Sequence, residues 1–60
     1  MLEYINRIGG GVRAEFLSFR NGVYIVRGID RRTENLIGEW KFFSDEKSAR
    51  EKFDAILAGI

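Results

Sequence analysis

Four glutamates (Glu3, Glu15, Glu34 and Glu39), a Gly9-Gly10-Gly11 triplet and six scattered cations are the residues whose types and spacing bear on chemistry. Two carboxylates facing each other across a cleft can divide acid and base work in sugar hydrolysis. These glutamates fall at polar strand and loop positions, where a carboxylate is ordinarily solvated. A chain of 60 residues also has little material with which to wall off a substrate cleft. There is no His and no Cys, which removes the familiar nucleophile and base pairs and leaves a structural zinc ion without ligands. No acidic loop shows the alternating ligands of a calcium site. A glycine triplet cradles phosphate when a helix N-terminus follows, or when Lys and Ser/Thr accompany it. Here a β-patterned run follows, so the glycines read as a turn. The expectation is a protein without enzymatic activity, metal or cofactor.

Binding is the chemistry that remains. Arg13, Arg20, Arg27 and Lys41 lie on runs that also carry Phe19 and Tyr24, and Arg31 and Arg32 follow in a loop. Cations beside aromatic platforms suit single-stranded nucleic acid, through phosphate contacts and stacked bases. Glu15 and Glu39 share those runs, however, and ten basic against nine acidic residues leave a net charge of +1. Such a balance exerts no general pull on a polyanion. Charge is also little segregated along the chain, with six Arg against five acids through Trp40 and four against four thereafter. Arginines of this kind more often cover apolar surface with their stems or pair with a nearby acid. Single-stranded nucleic acid is therefore the alternative partner, with those six cations as its contacts.

The elements that must position these groups follow from periodicity. Residues 2–8 read as a first strand, broken by the glycines. Residues 12–20 alternate Val12, Ala14 and Phe16 on one face with Leu17 and Phe19 on the other. Asn21-Gly22 between two β-rich runs predicts a two-residue type I′ turn, which would set Phe19 opposite Tyr24, Leu17 opposite Val26 and Phe16 opposite Arg27. Residues 23–29 form the third strand, apolar on both faces from Val23 to Val26 as a central strand is. Asp30 to Asn35 is a polar loop, and residues 36–43 form the fourth strand. Ser44 suits a helix N-cap, with Asp45 and Glu46 placed to complement the helix dipole. Ala49, Phe53, Ile56, Leu57 and Ile60 recur at helical spacing over residues 45–58, and Gly59 closes the helix. The fold class is α+β in one domain, residues 1–60: a four-stranded antiparallel meander followed by a C-terminal helix on one sheet face, ββββα.

One helix covers one face of such a sheet. With the loop spanning Arg31 to Glu34, the strands pair so that Trp40 falls on the face of Ile25. The core beneath the helix is then Phe16, Ile25, Ile29, Leu36, Trp40 and Phe42. The uncovered face shows Leu17, Phe19, Tyr24, Val26, Ile37 and Phe43, and its expected interface is Leu17, Phe19, Tyr24 and Val26. A loop one residue longer would send Trp40 to the Phe19 and Tyr24 face instead, because a one-residue slip reverses every side chain. In either case large apolar groups stay uncovered, which marks an interaction surface. A sheet curled into a small closed barrel would bury them without a partner.

A domain of this size buries only about 60% of its unfolded surface and, without disulfide or metal, is left with self-association or unusually good packing. The expected role is a small interaction module, partnered by a second copy or by another protein. A composition of 45% hydrophobic and 32% charged residues is that of a globular chain. No apolar run reaches the roughly 18 residues of a membrane span, and the N-terminus lacks the pattern of a signal peptide. The cytoplasm is the expected location. The order of four strands and a helix is similar to the unit of Whirly-type single-stranded DNA-binding proteins, a likeness of topology from which no residue is carried over.

Overall fold

The computed structural model describes residues 2–59. Four strands, β1 (Glu3–Gly9), β2 (Val12–Ser18), β3 (Tyr24–Asp30) and β4 (Leu36–Phe43), lie in one antiparallel sheet in chain order, followed by helix α1 (Glu46–Leu57). The ββββα order is as the patterning predicts. Gly9 pairs with Val12, so β1 runs into the triplet and only Gly10 and Gly11 make the turn.

The connection from β2 to β3 departs from expectation. In place of a two-residue turn, Arg20, Asn21 and Gly22 form a three-residue loop. The Phe19 N–H donates to the Val23 carbonyl at 3.0 Å, and the Gly22 N–H donates to the Phe19 carbonyl at 3.1 Å. A type I′ turn needs positive φ at both Asn21 and Gly22, but of the two only Gly22 adopts it, at 82°. This is the pattern of a type I turn closed by a bulged glycine. The Asn21 carboxamide oxygen accepts from the Val23 N–H at 3.2 Å. Phe16 therefore stands opposite Val26, Leu17 opposite Ile25 and Ser18 opposite Tyr24, one residue away from the predicted pairing.

The physical reason lies in what the two registers would bury. The predicted one sets Arg27 beside Phe16, under the helix. The observed one sets Arg27 opposite Glu15, on the far side, and brings Gly28 opposite Ala14. Gly28 is where α1 comes close: a Cβ there would lie 3.0 Å from Ile56 Cγ2.

Beyond β3, the loop to β4 closes as the four-residue alternative requires. The Asp30 N–H donates to the Asn35 carbonyl at 2.9 Å, and the Glu34 N–H to the Asp30 carbonyl at 2.7 Å. Ile29 faces Leu36 and Gly28 faces Ile37, but Val26 faces Lys41 and Ile25 faces Phe42. Gly28 and Val26 are two residues apart while Ile37 and Lys41 are four apart, so β4 carries a bulge of two extra residues. An even insertion preserves alternation, and Trp40 and Phe42 share Ile25's face as expected.

That face is not the one beneath the helix, which corrects the predicted core. Ala14, Phe16 and Val26 from the sheet and Ala49 and Phe53 from α1 form the buried cluster, with Ile5, Tyr24, Phe43, Ile56 and Leu57 packed around it. Phe16 meets Phe53 edge-on at 6.0 Å and Tyr24 at 5.9 Å. Burying one such aromatic side chain contributes about 1.5–3 kcal/mol. Arg50 lies 4.7 Å over the Phe16 ring and bonds both Glu46 at 2.8 Å and Glu3 at 3.0 Å, tying the helix to the outer strand β1.

The N-cap is Asp45 rather than Ser44. Asp45 has the extended backbone of a cap, and its carboxylate accepts from both the Ser48 N–H and the Ser48 hydroxyl at 2.9 Å. Those bonds hold its carboxyl below the ordinary aspartate value. At the other end the chain turns at Gly59, with φ 80°, as expected; Ile60, the last member of the predicted stripe, lies outside the described residues. No helix among the described residues is long and apolar enough to cross a membrane.

Candidate functional site

The sheet face away from α1 is built as three cross-strand rows. Tyr4, Leu17, Ile25 and Phe42 are paired in one, and Ile8, Arg13, Ile29 and Leu36 in another. Between them Asn6, Glu15 and Arg27 are paired, with Trp40 beside Arg27 across the bulge. The five large hydrophobics that stand out most on this face are Phe42 (68% exposed), Ile8 (61%), Tyr4 (48%), Trp40 (43%) and Leu36 (38%). Leu17 and Ile25 are half-buried between them.

Glu15 is the centre of the polar row. It is buried although no element covers this side, because its neighbours close over it. One carboxylate oxygen accepts from Arg27 Nε and the other from the Tyr4 hydroxyl. The Tyr4 hydroxyl in turn accepts from the Asn6 side chain at 3.3 Å. The Arg27 guanidinium lies 4.6 Å from the centre of the Trp40 ring, a cation–π contact. Burial pushes the Glu15 carboxyl up, but the bonds from Arg27 and Tyr4, with the charges of Arg27 and Arg13, outweigh it and hold the group below its ordinary value. The Tyr4 phenol is raised, first by its bond to Glu15, then by burial and by the Glu15 charge. Arg13 reaches Glu34 at 4.0 Å, while its Nε is buried without a hydrogen-bond partner.

The predicted interface residues are divided by the register. Leu17 lies on the open face. Val26 is fully buried under α1, Tyr24 is half-buried against the same core, and Phe19 belongs to the β2–β3 turn. Their places on the open face are taken by Ile25, Trp40 and Phe42, which the expected register had assigned to the core.

The six cations are likewise dispersed. Arg13 and Arg27 are on the open face beside Glu34 and Glu15. Lys41, opposite Val26, is on the helix side. Arg20 is at the β2–β3 turn. Arg31 and Arg32 are at the other end of the sheet, where Arg31 bonds the Gly10 carbonyl at 2.8 Å. The signal that would have found the true face is Glu15 and Arg27 together: only one register makes them cross-strand partners while keeping both out from under the helix. No group of three or more metal-binding side chains is present among the described residues. No protein-family model, curated protein or solved structure matches the chain.

Proposed function

We propose that this chain is a non-enzymatic interaction module that acts as a homodimer, two copies packing their open sheet faces together. The observation that carries it is the concentration of Tyr4, Ile8, Leu36, Trp40 and Phe42, all exposed, on the side of the sheet that α1 leaves bare. A patch of that kind is what interaction surfaces present.

The dimensions agree with a second copy as the occupant. A stable interface buries about 800 Å² on each partner, about a fifth of the 4129 Å² that this chain exposes. Four strands about 4.8 Å apart, seven or eight residues long at about 3.3 Å each, span roughly 19 by 23–26 Å before side chains add to the area. Charge agrees too. Glu15 neutralises Arg27 and Glu34 stands near Arg13, so two such faces meet without strong like-charge repulsion. The aromatic and Arg content matches what interface centres favour. A symmetric dimer needs only this one self-complementary patch. The cytoplasm is the compartment we assign to it.

Single-stranded nucleic acid is supported less well, since two of the six candidate cations share the aromatic face and each has an acid beside it. Sedimentation of the wild type, Phe42→Glu and Trp40→Glu tests the proposal. The expected result is the mass of two chains for the wild type and of one chain for both variants. A wild type that stays a single chain at about millimolar concentration, or a Phe42→Glu variant that keeps the mass of two, would overturn it. Titration with labelled oligonucleotides at two salt concentrations separates the alternative: affinity that falls steeply with salt marks phosphate contacts and would shift the function to nucleic acid.

A further inference from the structure

The geometry points to a small-molecule site on the other side of the sheet, in a groove between α1 and β4, that takes a single-chain amphipathic carboxylate such as a free fatty acid. This inference is independent of the dimer, because the two surfaces are on opposite faces.

The groove exists because one helix, seated over the two central strands, does not span all four. α1 packs chiefly over β2 and β3, so the helix-side residues of β4 extend past it and Ile37 remains about half exposed. What lies between is a cleft of about 480 Å³, within the roughly 300–1,000 Å³ of ligand pockets. Val12, Ile37 and Ile56 line it with apolar surface, with the fully buried Val26 beneath them. Gly28, also in the lining, contributes no side chain, and a Cβ there would crowd Ile56. The bulge around Gly38 keeps β4 from closing regularly over the same space.

Charge selects the head group. Lys41 lines the groove from the strand and Lys52 from the helix, with Glu39 the third charged residue. Among the described residues neither lysine is in an ion pair. The lining therefore carries one surplus positive charge, on ammonium groups with long flexible stems. Such stems lie along apolar surface while their heads stay in water. A carboxylate head matches the surplus positive charge of the lining, and an alkyl tail matches its valine and isoleucine surface. A cationic head would meet repulsion at the same place.

Methyl and amide NMR of the full chain tests this, with decanoate below its micelle concentration as the probe and decylamine as its cationic counterpart. The expected result is saturable shifts at Val12, Val26, Ile37 and Ile56 with decanoate. Binding should be about tenfold weaker for decylamine, and for the Lys41→Gln/Lys52→Gln variant, since each lacks the attraction between the head group and the two lysines. The variant's own amide spectrum confirms that it is folded. Equal affinity for the two probes, an unchanged affinity in the variant, or decanoate shifts confined to Leu17, Ile25 and Phe42 on the opposite face would each overturn the site. Sedimentation of the same samples reads the dimer separately.

Discussion

Gly9→Ala and Gly11→Ala, two residues apart, are expected to change stability in opposite directions. An ideal Cβ on Gly9 lies 2.7 Å from the Leu57 carbonyl oxygen and 3.3 Å from Leu57 Cδ2. The first is backbone at the last residue of α1, so the end of the helix must lift or β1 must bend. Overpacking of this kind costs about 1–3 kcal/mol. Against it, replacing glycine restricts the unfolded chain and returns about 0.4–1 kcal/mol, leaving a net loss of roughly 1–2 kcal/mol. At Gly11 no heavy atom lies within 4 Å and the backbone is outside the positive-φ region, so only the gain remains. In a domain of about this size 1 kcal/mol moves the melting temperature by roughly 4–8 °C. Gly9→Ala should therefore melt about 5–15 °C lower than the wild type, and Gly11→Ala a few degrees higher. Thermal and urea unfolding by far-ultraviolet circular dichroism measure both. All samples must share one protein concentration, because a dimer's midpoint depends on it. A Gly9→Ala protein as stable as Gly11→Ala would refute the close approach of helix and strand on which the core depends.

Two further outcomes follow from the helix cap and from the buried glutamate. Asp45→Ala removes both bonds to Ser48 and should cost about 1 kcal/mol in the same melts, with Ser44→Ala near neutral; equal losses would mean that the cap is misassigned. Glu15 has a folded value below the ordinary 4.5, so as pH falls through that window the unfolded chain takes up the proton first. Its contribution is complete above 4.5 and disappears as pH drops through the lower folded value. Urea midpoints measured from neutral to acid pH should fall below 4.5 more steeply in the wild type than in Glu15→Gln; parallel curves would argue that Glu15 is not held by Arg27 and Tyr4.

Periodicity, turn residues and composition, read from the amino acids alone, determine the element order, the approximate strand and helix limits, and the helix stripe of Ala49, Phe53, Ile56 and Leu57. Each is a local property: alternation, spacing and the punctuation of glycines need only neighbours in the chain. The same local signals also indicate that one side of the sheet must stay bare, since a single helix follows four strands with apolar residues on both faces. Which side chains stand on that side is another matter. Asn21-Gly22 favours a two-residue turn on local grounds, and that choice would set Arg27 beside Phe16. The folded chain takes a three-residue loop, at the cost of a bulge, because Arg27 then meets Glu15 and Gly28 admits Ile56 of the helix. Those contacts join residues 12 and 28 positions apart, and no window along the sequence contains them. A change of one residue in a turn thus moves Val26 and Tyr24 into the core and Ile25, Trp40 and Phe42 out of it. Only tertiary packing decided that, since alternation reverses with every residue of register and the burial of one charged side chain outweighs the preference of one turn.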